Sequence, residues 1–188
     1  MSDSTAPTHG PVASKEEKGG EASTKKGRRV AGIVVIDGDH AYFLPTDLID
    51  RKRNRNKLIF KQIRNAVRGD IAIYPTPNGC EDRFLVYCSD DALVKKDAKF
   101  NDVGAYVLDA LGLYTISGYP LMEPIVIMRQ DEKTLSGDEI DALLWLAKHV
   151  TDLMDAADKS ETQFPTFKEY VCSHPDIPEA VRKVLWDS

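Results

Sequence analysis

Apolar side chains begin abruptly at Val30 and then recur in two rhythms. Residues 30–36, Val-Ala-Gly-Ile-Val-Val-Ile, form a β-branched run. The turn-forming Asp37-Gly38-Asp39 and then His40-Ala41-Tyr42-Phe43-Leu44 follow it. A strand, a D-G turn and a second strand predict a hairpin. Between residues 58 and 67 the apolar positions are 59, 60, 63, 66 and 67, which is helical spacing, and Gly69 is read as its stop. Residues 71–74 and 83–88 read as a second hairpin around a longer Pro/Gly loop.

Ser89 is placed to cap a helix, with Asp90 and Asp91 in its first turn and Lys95 and Lys96 later, a charge order that suits a helix dipole. Residues 102–111 read as a helix ended by Gly112, residues 113–116 as a strand, and residues 124–129 as the last strong strand. Ser136 stands three residues before Glu139, the spacing of a capping box, and opens a helix with one apolar stripe from Ile140 to Met154. Two short helices, 167–171 and 177–186, end the chain. The fold class expected is therefore α+β: a small mixed sheet of hairpin strands with packed helices and a helical C-terminus.

Residues 1–29 are Ser, Thr, Gly, Pro, Lys and Glu with hardly an apolar side chain, and read as a disordered polar tail; residues 30–188 read as one domain. No run approaches the roughly 20 apolar residues of a membrane-spanning helix, and the polar N-terminus does not read as a secretory signal. Cys80, Cys88 and Cys172 make an odd set without a C-x-x-C pair, and read as reduced thiols of a cytosolic protein. The four histidines are scattered without metal-ligand spacing.

Charge changes the picture. The chain carries a net charge of −5, yet residues 48–68 hold eight basic residues (Arg51, Lys52, Arg53, Arg55, Lys57, Lys61, Arg64, Arg68) against the single acid Asp50, a local +7. Crowding cations costs self-repulsion that a polyanion relieves. Arginine forks suit phosphate oxygens, and Asn54 and Asn56 interleave as hydrogen-bonding groups. The candidate phosphate or DNA ligands are thus Arg51, Arg53, Asn54, Arg55, Asn56, Lys57, Lys61 and Arg64. No Walker motif and no G-x-G-x-x-G is present. Asp37 and Asp39 with His40 are the kind of strand-end cluster a metal-dependent nuclease of the NYN/PIN type uses, but a tight turn already explains Asp37 and Gly38. Asp90 and Asp91, directly after a strand, are the candidate catalytic acids; no metal is specified. The rival to a polyanion ligand is a non-catalytic adaptor whose basic patch docks an acidic protein.

The order of these pieces resembles the ParB/sulfiredoxin superfamily. Residues 48–56, rich in Arg and Asn, lead into an amphipathic helix; Asp70-Ile71-Ala72-Ile73-Tyr74-Pro75 and Arg83-Phe84-Leu85-Val86-Tyr87 follow as strands, and then a turn and helix. The similarity covers residues 44–100. Where the family's phosphate turn carries Gly and Arg, this chain reads Cys88-Ser89-Asp90-Asp91. Within the superfamily a short chain is similar to plasmid-encoded fertility-inhibition proteins. That resemblance implies a cytoplasmic factor, or one peripheral at the inner membrane, that blocks type IV secretion-mediated DNA transfer. It also implies DNA and type IV secretion components as partners, ATP and Mg²⁺ as cofactors, and ATPase and DNase activity.

Overall fold

A computed structural model describes residues 32–45, 55–76, 83–114, 120–122, 124–130, 135–160 and 164–186, with the backbone alone for 55–58. Strands β1 (Gly32–Asp37) and β2 (His40–Pro45) form the first hairpin. Asp37 pairs with His40 across a two-residue turn, and Gly38 takes φ 59°, the left-handed conformation that a side chain disfavours. Helix α1 (Arg55–Val67) precedes β3 (Ile71–Ile73) and β4 (Phe84–Ser89), the second hairpin. Helix α2 (Asp102–Ala110), β5 (Ile125–Arg129), α3 (Gly137–Asp158), α4 (Phe167–Ser173) and α5 (Glu179–Trp186) complete the order.

The five strands make one sheet in the order β2-β1-β5-β4-β3, and every pairing is antiparallel, so the sheet is not mixed. The run from Ile33 to Ile36 is buried throughout because both faces of the sheet are covered. Val34 and Ile36 point to the large core shared with Phe84, Val86, α2 and α3, whereas Ile33 and Val35 point to Ile59, Ile63 and Val67 of α1. Period-2 alternation in β1 thus serves two apolar faces rather than one apolar and one wet face. Helix α1 is the one described helix on its side; α2 to α5 cover the other. Among the described residues no helix is long and apolar enough to cross a membrane.

Three local expectations are corrected. Gly69 does not end α1 in the left-handed conformation; Arg68 does, at φ 57°. No full helix follows Ser89: Ser89 stays in β4 opposite Ile71, and only a 3₁₀ turn, Ala92–Val94, forms before Lys95 turns extended. Leu113 and Tyr114 are not a strand, since both N–H groups donate to the Leu108 carbonyl and wrap up the end of α2 after Gly112, φ 73°. Residues 115–116 of that expected strand lie outside the described residues. The capping box is present: the Ser136 hydroxyl accepts from the Glu139 N–H, and the Ser136 N–H donates to Glu139 Oε2 at 2.7 Å.

Candidate nucleic-acid interface

Helix α1 is amphipathic because its inner residues, Ile59, Ile63 and Val67, are spaced 4 and 4, and all are buried against β1, β4 and β5. Phe60, another of the apolar positions, is 42% exposed and makes an edge-to-face contact with Tyr87, 6.4 Å between ring centroids. The outer side holds Lys61, Arg64, Asn65 and Arg68, all exposed. Arg51, Arg53 and Asn54 lie outside the described residues, as does Lys52; Arg55, Asn56 and Lys57 form the first turn of α1, known by backbone only. The structure therefore places the C-terminal half of the basic run on one open helix face.

Two of these cations have carboxylate partners. Arg64 pairs with Asp70 and Arg68 with the hairpin-turn residue Asp37. Neither partner comes from the acidic C-terminal helices. Arg64 and Asp70 are each exposed by more than 60%, the setting in which an ion pair contributes about 0–1 kcal/mol and exchanges readily for another anion, whereas Asp37, the partner of the open Arg68, is only 20% exposed. Asp37, read as a metal ligand in the nuclease alternative, is thus occupied by a guanidinium. Arg64, Asn65, Arg68, Gly69, Asp70 and Asp91 line one shallow depression at the end of α1.

Beside it lies a compact charged clamp. Lys95 Nζ donates to the Arg68 carbonyl at 2.9 Å and to Ser89 Oγ at 3.0 Å, and pairs with Asp91 Oδ1 at 3.0 Å. Ser89 Oγ donates to the same Asp91 oxygen. The Ser89 hydroxyl, and then Lys95, hold the Asp91 carboxyl below its ordinary range. An ammonium has three donors, and all three are used here, so Lys95 ties the three groups together. Gly69 leaves room for it: a Cβ there would stand 2.6 Å from Asp91 Oδ1 and 2.8 Å from Lys95 Nζ, and the clamp would have to shift. The clamp fixes the left-handed Arg68 to the end of β4.

These contacts bear on Asp90 and Asp91 as catalytic acids. A divalent cation at Asp91 would face the repulsion of Lys95, whose Nζ stands 3.0 Å from Oδ1. Among the described residues no three His, Cys, Asp or Glu side chains are grouped to hold a metal ion. Cys88, next in line, is half-buried; burial, and then the charge of Asp90, push its thiol pKa up, the reverse of a reactive thiolate.

Asn101 escaped the sequence reading. It is fully buried, caps α2 by accepting from the Gly104 N–H at 2.7 Å, and donates to the Ile36 carbonyl at 3.1 Å, tying α2 to the end of β1. An Asn just before a helix-opening Asp was the available signal. No known protein family, no curated protein and no solved structure matches the chain.

Proposed function

We propose that this protein binds the phosphates of DNA through the outer face of α1, as a ParB/sulfiredoxin-like factor that inhibits type IV secretion-mediated DNA transfer. One observation carries the binding half: among the described residues α1 stands alone on its side of the sheet and presents Lys61, Arg64 and Arg68 to solvent. Residues 57, 61, 64 and 68 follow one another at helical spacing, and the Arg/Asn-rich residues 51–54 lead directly into that helix. The order basic segment, helix, strand, strand and turn, with β3 and β4 antiparallel, supports the superfamily reading. The transfer-inhibition half rests on the resemblance. Hydrolysis of ATP or DNA forms no part of the proposal: the carboxylate of Asp91 is taken up by Ser89 and Lys95.

A second reading has one observation in its favour. Arg64 and Arg68 already hold carboxylates, which is how an acidic protein partner would be held. Titrating a labelled duplex against wild type and the Lys61→Ala/Arg64→Ala/Arg68→Ala variant separates the two. We expect the variant to bind at least about tenfold more weakly in 50 mM salt. Equal affinity, or no binding by wild type, would move the assignment to the acidic partner. In cells, a mobilisable plasmid should leave donors expressing the variant more often than donors expressing wild type. Equal transfer frequencies would remove the transfer-inhibition half.

A further inference from the structure

At the far end of the sheet from β2, strand β3 is an open edge among the described residues. The Tyr74 N–H donates to the Val86 carbonyl and the Asp90 N–H to the Asp70 carbonyl, so residues 70, 72 and 74 turn their backbone groups towards β4. Ile71 and Ile73 must then turn theirs outward: two N–H and two C=O groups, without a hydrogen-bonding partner among the described residues. Such an edge is a template for another strand. Natural edges are commonly blunted by charge or proline, yet this one reads Ile-Ala-Ile and Pro75 comes only after it.

A cavity of about 360 Å³ opens beside the edge, within the range of small-ligand and side-chain pockets. Ala72, Leu93, Leu121 and Met122 give it apolar walls, and Asp90 is the one charged lining residue among the described residues. Leu93, one of its lining residues, is 57% exposed, and the adjacent Val94 is 81% exposed. Exposed apolar side chains gathered in one place mark an interaction surface.

We infer that β3 receives an extended segment of a partner protein as an additional strand, with one apolar side chain seated in this cavity and a neighbouring Lys or Arg against Asp90. The outward Ile71 and Ile73 groups specify an extended backbone, and alternate side chains of an added strand fall on the cavity side. Asp90 is exposed and has no ion-pair partner among the described residues, so it selects a basic neighbour. A second copy fits less well. Pairing β3 with β3 would offer the cavity only Ala72 or Tyr74, and Tyr74 is already buried in its own core.

The test uses the full chain and fluorescein-labelled Lys-Val-Leu-Val-Thr peptide, followed by anisotropy. Two peptides N-methylated at alternate amides, one in each phase, report on strand geometry. Binding should survive in one phase and be lost in the other, because only alternate N–H groups of an added strand face β3. Ile73→Pro removes one outward donor without touching the β4 ladder and should weaken binding about tenfold or more. Asp90→Lys should reverse the preference between this peptide and its Glu-for-Lys counterpart. Equal binding of both methylated peptides, or no saturable binding to a natively folded chain, overturns the inference. A dimer in sedimentation that Ile73→Pro abolishes, without peptide binding, overturns it in favour of a second copy.

Discussion

Glu139 is the most consequential charge in the core. Its side chain is 2% exposed, yet it accepts from Arg83 Nε and NH2 at 3.1 Å through Oε1, with Arg129 NH1 3.4 Å away; Oε2 takes the Ser136 N–H and hydroxyl. Arg83 also donates to the Val184 carbonyl at 3.2 Å, so this one carboxylate links β4, β5, α3 and, through Arg83, α5. Burial by itself would push its pKa up; the Ser136 bonds, Arg83 and Arg129 outweigh that and hold it below the ordinary value. Removing one partner of a buried pair costs about 3–5 kcal/mol, and losing an N-terminal cap about 1 kcal/mol. Arg129 is 36% exposed and can turn to water, which lowers the expected loss for Glu139→Ala to about 3 kcal/mol. In a chain of this size that lowers Tm by about 6–12 °C.

Glu139→Gln keeps the shape and one acceptor and should cost about 1–2 kcal/mol. Its pH dependence has a defined sign. A carboxylate whose folded pKa lies below its unfolded value of about 4.3 contributes fully above that value. The contribution is lost as pH falls through the folded pKa. The gap between wild type and Glu139→Gln in urea unfolding should therefore be widest near neutrality and close below about pH 4. Glu139→Leu combined with Arg83→Met should cost less than the sum of the two single changes. Single variants that all fall within about 0.5 kcal/mol of wild type would refute the reasoning.

Three further outcomes follow from the geometry. Gly69→Ala forces a methyl into the Lys95 clamp and should destabilise by about 1–3 kcal/mol in urea unfolding. A variant as stable as wild type would mean the clamp has slack. Arg68→Gly relieves a left-handed side chain and loses an ion pair that is open on its arginine side, so stability should stay within about 1 kcal/mol of wild type while DNA affinity falls; a larger loss of stability would contradict this. Asp109, pushed up by burial in the last turn of α2, should be improved by Asp109→Asn, by about 0.3–1 kcal/mol at pH 7. That gain should vanish as pH drops below the unfolded carboxylate range, where the wild-type side chain is neutral in both states. A gain independent of pH would point to another cause.

What the sequence made legible was local. The Asp37–Gly38 turn, the 4-and-4 spacing in α1 and the Ser136–Glu139 box each act within a few residues, and each formed where its pattern stood. The turn after β4 shows the limit of such reading. Ser89, Asp91 and Lys95 have the charge order of a capped helix, but the same three side chains can bind one another. The nearby Arg68 carbonyl and side-chain-free Gly69 make that choice the favoured one. Residue 68 rather than 69 as the left-handed stop depends on that same long-range contact. Sheet order was not legible either, since β5 inserts between β1 and β4 through pairings distant in sequence. Of the basic run, Lys61 and Arg64 stand on the exposed side of α1, and an anionic ligand for them was the expectation of the sequence.

The salt dependence of DNA affinity is the most direct measurement. If the outer face of α1 neutralises phosphates, log K falls linearly with log salt, and replacing Lys61, Arg64 and Arg68 together flattens the slope by about 2.7. Between 50 and 200 mM salt, wild type should then lose about 40-fold more affinity than the variant. Identical slopes for the two proteins would show that DNA, if bound, is held elsewhere.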